Sequence, residues 1–464
     1  CEDAPCVTIC PVTALFRRDN GIVDFDGDRC IGCKSCMQAC PYDALYINPN
    51  TNTAEKCNYC AHRVEVGLEP ACVIVCPEQA IISGDMDDPT TKISRLLASE
   101  EMLVRKPEAQ TRPKLYYIEA NPSALKPTEQ THTTGYLWAE QRMDPIMQNE
   151  QALAEAEAKA RTTYDIMHDR PWGWKVSAYL WTKSVSAGAF FLAAIAIGFR
   201  FVYQQTSIFP SMPLQYWLYE TAAPVVSLVF LAATLALLVA DLKRPERFLS
   251  ILFRPQWKSW LVIGGYILAA YGAALTGWLV AVYMGLAEIK PPLMWGGALL
   301  AALTAIYSAF LFRQARGRVF WHSPFTALHL FVQALVAGAA VLLIVYMAAA
   351  LPGGRNLAGP GFDLLYYQLM GALIAHGVLA VGEIFLPEEN VEKARAARLI
   401  RRGIFSRLFW GGAVGAGIVL PLAGLATGAA QYGPVAIVVA LLALAGLFIW
   451  EHIWVQAGQA VPMS

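Results

Sequence analysis

Eight apolar runs of bilayer length decide most of what this chain can fold into. They fall at about 176–203, 217–240, 258–284, 293–312, 324–350, 362–386, 405–427 and 434–456, with short polar breaks between them. A helix needs about 20 mostly apolar residues to cross a hydrocarbon core, where only its own hydrogen bonds can satisfy the backbone. A large soluble core yields one such run, but not eight in series. The breaks TSIFPSMPLQ and ALPGGRNLAGPG are rich in Pro and Gly, as expected of turns outside a membrane. Only 16% of the residues are charged, against about 25% in an average soluble protein. Residues 175–457 are therefore expected to form an all-α polytopic bundle of about eight transmembrane helices. Net charge is zero, which gives no footing for nucleic acid.

The first hundred residues carry different chemistry. All eleven cysteines lie between Cys1 and Cys76. Cys30, Cys33, Cys36 and Cys40 stand at spacings of two, two and three, and Pro41 closes the run. This is the bacterial [4Fe–4S] spacing, in which the fourth cysteine ligates a different cluster. Three close thiolates can wrap three corners of one cubane, while the proline redirects the chain and carries the fourth away. The pattern returns as Cys57, Cys60, Cys72, Cys76 and Pro77, with a longer insertion before the third cysteine. Cys1, Cys6, Cys10 and Pro11 match the end of another copy. Each copy leads into a similar apolar turn, VTAL, YDAL or EQAI. A disulfide framework does not explain this repetition, and zinc needs four ligands without it. Eleven thiols do not fill cubanes of four, so at least one ligand is expected from outside the sequence. A chain starting on Cys1 without an initiator Met reads as trimmed.

These motifs resemble the four-cluster ferredoxin subunits of molybdopterin-enzyme complexes, such as the polysulfide and dimethyl sulfoxide reductases. The resemblance implies an α+β ferredoxin-like domain over 1–100, with up to four [4Fe–4S] clusters, some completed by residues not in this sequence. It also implies a pairing. Cys10, Cys30, Cys33 and Cys36 hold one complete cluster, and Cys1, Cys6 and Cys40 hold a second that lacks a ligand. Cys57, Cys60 and Cys72 hold a third, and Cys76 reaches into another. Spacing alone leaves open an exchange of Cys40 with Cys76. Residues 101–174 are expected to be a C-terminal extension and linker: VRKPEAQTRPKLYYIEA resembles a strand that wraps the domain. EQALAEAEAKARTTYDIMHDR reads as an exposed helix.

The apolar half resembles the NrfD-type membrane subunit of polysulfide reductase-like complexes. DLKRPERFLSILFRPQWKSW and YLWTKSVSAGAFFLA carry that likeness. It implies exchange of electrons with a quinone (menaquinone or ubiquinone), no haem, and a separate molybdopterin-type catalytic subunit. Fourteen Lys and Arg, from Lys243 to Arg407, lie in loops on the side of the first run's N-terminus, against Arg200, Lys290 and Arg355 opposite. That bias places the iron–sulfur head in the cytoplasm, on the inner membrane.

Ionisable groups inside a bilayer are costly, so each is a candidate site residue. Lys183, Asp241, His329, His376 and Glu383 are the candidates for a quinone and proton site. His376 and Glu383 are seven apart on one run, hence on one helix face. All but His376 are expected in the half nearest the head, and Lys183, His329 and Glu383 are expected to line one cavity. Glu220, Glu451 and His452, near run ends, read as interfacial. Two alternatives remain: an ion-translocating module driven by the head, and a b-type cytochrome with haem between His329 and His376.

Overall fold

In the computed structural model the chain has two parts, a small α+β head and a bundle of eight helices long enough to span a membrane. The structure describes residues 1–121, 125, 170–203, 213–350, 360–386, 390–431 and 433–463. The linker helix expected at 150–170 lies almost wholly outside them.

The head is built twice over. A short helix, α1 (Pro5–Ile9), leads into the antiparallel hairpin β1 (Leu15–Arg17) and β2 (Val23–Phe25), where Leu15 faces Phe25. A second helix, α2 (Ser35–Ala39), leads into β3 (Leu45–Ile47) and β4 (Ala54–Lys56), where Leu45 faces Lys56. Each helix ends at a Cys-Pro pair because proline has no N–H to continue the ladder. Two residues after each proline the backbone turns left-handed, at Thr13 (φ 54°), Asp43 (φ 53°) and Gln79 (φ 50°). That turn aims the next N–H back at the cysteine: Ala14 donates to Cys10 Sγ at 3.2 Å and Ala80 to Cys76 Sγ at 3.3 Å. The third copy shares this turn but not the hairpin, and its helix Ala71–Ile74 buries nothing.

The 104–120 extension wraps back over the head. Its strand Tyr117–Ile118 pairs with Met102–Leu103, and the carbonyls of Thr111 and Arg112 accept from Asp3 and Glu2.

The eight spans are Trp174–Gly198, Leu218–Asp241, Trp260–Tyr283, Ala287–Gln314, Thr326–Ala350, Phe362–Phe385, Leu408–Ala426 and Gly433–Gly458. The first and fifth form the centre, buried over 78% and 72% of their most apolar stretch against 28% for the third. They touch backbone to backbone: a methyl on Gly188 would meet the Ala334 carbonyl oxygen at 1.7 Å. Small residues at such crossings are how helices associate in lipid, where burial of apolar surface drives nothing. The second and seventh spans carry π-helical turns, at Leu218–Ala222 and Leu408–Val419.

The head is fixed to one end of this bundle by its cluster-binding loops. Ile31 and Gly32 present carbonyls to the N–H groups of Arg244 and Lys243, both at 3.2 Å. Arg247 donates to the carbonyls of Gly27 (2.7 Å) and Cys30 (3.1 Å). Lys34, next to Cys33, pairs with Asp241 at 2.8 Å. On the other flank Gln38 accepts from Arg318 (2.9 Å) and donates to Gln459 (2.6 Å), and Ser259 donates to the Ile9 carbonyl (2.7 Å).

Candidate cluster sites and a buried histidine–carboxylate site

The two hairpin units face each other, and their thiols mix. One cavity is lined by Cys10 from the first unit and Cys30, Cys33 and Cys36 from the second, with Pro11, Val12, Ala14, Leu15, Ile31, Lys34 and Ala54 around them. Backbone N–H groups of Gly32 and Ala54 reach Cys30 Sγ, each at 3.4 Å. Burial pushes the Cys6 thiol up to about 12, and the nearby Cys40 thiol adds to it. Burial likewise raises Cys10, Cys36 and Cys40. Such thiols stay protonated until a metal centre supplies the charge that makes them thiolates. Among the described residues no three His, Cys, Asp or Glu side chains are grouped to hold a single metal ion. Thiols spread around the wall of a cavity suit a cubane better than one zinc. Cys57 and Cys72 of the third copy are exposed, and Cys60 and Cys76 partly so.

From this cavity an aromatic layer runs into the bundle. Trp172 Nε1 donates to the Cys33 carbonyl at 3.3 Å. Its ring stacks on Trp321 (5.4 Å between centroids) and meets Phe312 edge-on (5.3 Å). Phe312 packs on Trp454 at 4.8 Å. One turn along the eighth span, Trp450 lies 5.5 Å from the ring of His329 and 5.9 Å from that of His376.

His329 is the middle of a buried triad. Its Nδ1 is 3.0 Å from Glu383 Oε2 and its Nε2 is 2.9 Å from His376 Nδ1. The seven-residue spacing on the sixth span puts His376 and Glu383 on one face, two turns apart, and His329 from the fifth span bridges them. Both histidines are 2% exposed. A small cavity beside the triad is lined by Leu180, Thr326, His329, Leu330, Gln333, Glu383, Trp450, Glu451 and Trp454.

Two sequence candidates fall elsewhere. Lys183 is fully buried on the first span, but it turns toward the fourth, donating to the Ala305 carbonyl (2.9 Å) and Ser308 Oγ (2.8 Å). It does not line the cavity with His329 and Glu383. Asp241 is taken up by Lys34 of the head. Of the groups read as interfacial, Glu220 pairs with Lys290 at 3.1 Å. Glu451 is 1% exposed and lines the cavity, so its place near a span end did not make it interfacial. A lone acid in the otherwise apolar run before His452 was the available signal.

Comparison with known proteins follows this division. The family model described as "Polysulphide reductase, NrfD" matches residues 163–463, and the "4Fe-4S dicluster domain" model matches 1–86. The B subunit of the tetrathionate reductase of Salmonella typhimurium is 46% identical over 129 residues, 27% of this chain and 52% of that protein. Its counterpart in the polysulfide reductase of Wolinella succinogenes is 46% identical over 119 residues, 25% of this chain and 62% of that protein. Protein NrfC of Escherichia coli is 44% identical over 120 residues, 25% of this chain and 54% of that protein. The matched segment thus spans between half and two thirds of the length of these curated relatives. With a family match over most of its length and a cluster-binding head on the same polypeptide, this protein belongs to the polysulphide reductase NrfD family.

Proposed function

We propose that this protein is the electron-transfer and quinone-reacting subunit of a membrane-bound oxidoreductase. It would exchange electrons between a separate catalytic subunit, of molybdopterin type, and the quinone pool. One observation carries the reading: the thiol cavity of the head is fastened to the end of the bundle in which the His329–His376–Glu383 triad is buried, with Trp172 bonded to the cluster loop and Trp450 against both histidines. Cys10, Cys30, Cys33 and Cys36 would hold one [4Fe–4S] cluster, and Cys1, Cys6 and Cys40 part of a second, by exchange of Cys10 and Cys40. Cys57, Cys60, Cys72 and Cys76 would serve clusters completed by other residues. Bound clusters supply one-electron steps.

Quinone reduction takes up two electrons and two protons, and quinol oxidation releases them. The triad answers the proton half of that requirement. A histidine hydrogen-bonded on both ring nitrogens can take a proton at one and pass one at the other. His329 has this arrangement, with Glu383 on one side and His376 on the other. Lys183 and Asp241 have structural partners and stand outside this proton group. Direct contact between the histidines leaves no space for a macrocycle between them, which supports the haem-free reading over a b-type cytochrome.

The head is assigned to the cytoplasmic face of the inner membrane. Arg244, Arg247 and Arg318 bond the head, yet eleven of the fourteen basic residues remain, against three on the other side. A reporter fused after Ser464 or within the helix Val391–Arg401 should then be active only in the cytoplasm; periplasmic activity at either point reverses the assignment. The function itself is tested by adding quinol anaerobically to the oxidised complex. The reduced-cluster EPR signal should appear without any other reductant. Its failure to appear, in a complex whose clusters dithionite reduces, would sink the quinone reading.

A further inference from the structure

Three oxygens around the small cavity lack partners. Thr326 Oγ1, Glu383 Oε1 and Glu451 Oε2 are all buried, and none has a hydrogen-bond partner among the described residues. All three residues line the one cavity, and they come from the fifth, sixth and eighth spans. Leaving a buried polar group unmet is costly, so their convergence on one space is not incidental. The space takes about one water, too little for a quinone ring. A buried water makes about three hydrogen bonds.

We propose that this cavity holds a single water shared by Thr326, Glu383 and Glu451, and that protons pass through it between the two carboxyls. The proposal deepens the quinone reading and rests on it: the water extends the line His376–His329–Glu383 across the bundle to Glu451. Glu451 is held for this task by its other oxygen. That oxygen accepts from Ser184 at 3.3 Å. With the Gln333 amide oriented to satisfy both neighbours, it also accepts from Gln333 at 3.2 Å, while the Gln333 oxygen accepts from Trp450 Nε1 at 2.9 Å. Oε2 is therefore the oxygen left to give or take a proton. The transfer balances without a redox partner. A proton leaves one carboxyl oxygen for the water as the water releases one of its own to the other. Glu451 is thus a proton-relay residue acting through Glu383, not a group touching quinone.

The test uses the membrane-embedded complex with Glu451→Gln and Thr326→Val, both close in volume to the originals. For Glu451→Gln, the cluster EPR signals and the KM for quinone should stay at wild-type values. Its kcat should fall by about 10²-fold, the low end for losing a proton-transfer group, and the ratio of rates in H2O and D2O should rise. Glu451→Asp should recover part of the loss. Wild-type kcat and isotope ratio in Glu451→Gln overturn the relay, and so does a raised KM with kcat unchanged. If the wild-type complex itself shows no quinone-coupled turnover, the quinone reading fails instead. The water is then still open to test by redox-difference infrared spectra of dithionite-reduced complex. The carboxyl band lost in Glu451→Gln should shift in Thr326→Val, and an unshifted band overturns the shared water.

Discussion

Replacing His329 with Phe, or Glu383 with Leu, should lower quinone-coupled turnover by about 10²-fold or more while the cluster EPR signals persist, the scale expected for a lost proton-transfer group. His329 has both ring nitrogens committed, to Glu383 at 3.0 Å and to His376 at 2.9 Å, so either change cuts the line at its centre. Removing one partner of a buried hydrogen bond also costs stability, on the order of 1–3 kcal/mol, because the other partner is left unsatisfied. Glu383→Gln separates the two effects, since it keeps volume and a hydrogen bond but has no acidic proton. If chemistry is what matters, Glu383→Gln should be nearly as slow as Glu383→Leu and more stable. Dye-linked activity at the catalytic partner should survive in all three variants, because dyes bypass the membrane. Near wild-type quinone turnover in both His329→Phe and Glu383→Gln would make the triad structural.

That experiment depends on residues the sequence marked unevenly. Where an apolar span starts and stops along the chain is a one-dimensional property, and it was readable. The eight spans begin and end within a few residues of the apolar runs, apart from the start of the fourth. Residues on one helix, such as His376 and Glu383, can be placed on a common face by spacing. Which way a face points across the bundle depends on packing between helices, and no local pattern carries it. Lys183 therefore shared an expected depth with His329, yet it turns to Ala305 and Ser308 on the fourth span. Glu451 was read from its nearness to a span end, although the eighth helix runs on to Gly458 and buries it.

The head was legible for a different reason: its repeats are covalent geometry. Pro11, Pro41 and Pro77 fix where each helix stops, and the left-handed residue two places later follows in all three copies. What no repeat could disclose is the seat of the head. Arg244, Arg247 and Arg318 counted as membrane-topology charges in the sequence, and in the fold they hold head carbonyls and Gln38. Three of the basic residues counted for topology are therefore also contacts that seat the head.

The seat itself turns on one glycine. Gly32 lies inside the cluster-binding run with φ +68°, and a Cβ there would stand 2.5 Å from Lys243 Cβ and 3.0 Å from the Asn52 carbonyl oxygen. Gly32→Ala should therefore unseat the head. A left-handed non-glycine residue costs about 1–2 kcal/mol, and forcing a methyl into a packed contact about 1–3 kcal/mol more. At 1.4 kcal/mol per factor of ten, the seated state should lose roughly thirtyfold to a few thousandfold in equilibrium. Neither thiol beside it moves by necessity, because the clash lies with the loop after the second span, so cluster content should hold. Electron transfer falls steeply with distance, so quinol should reduce the clusters far more slowly in this variant, while dithionite reduces them as before. The carbonyls of Ile31 and Gly32 accept from Arg244 and Lys243, and Lys34 pairs with Asp241 beside them, so this flank of the seat is lost together, while Gln38 and Ile9 keep their contacts on the other. An Asp241→Asn variant weakens the same seat through Lys34 without changing a residue of the cluster loop, and should slow the reaction in the same direction, by less. Wild-type rates in Gly32→Ala with full cluster content would mean that electrons do not cross to the membrane at this contact.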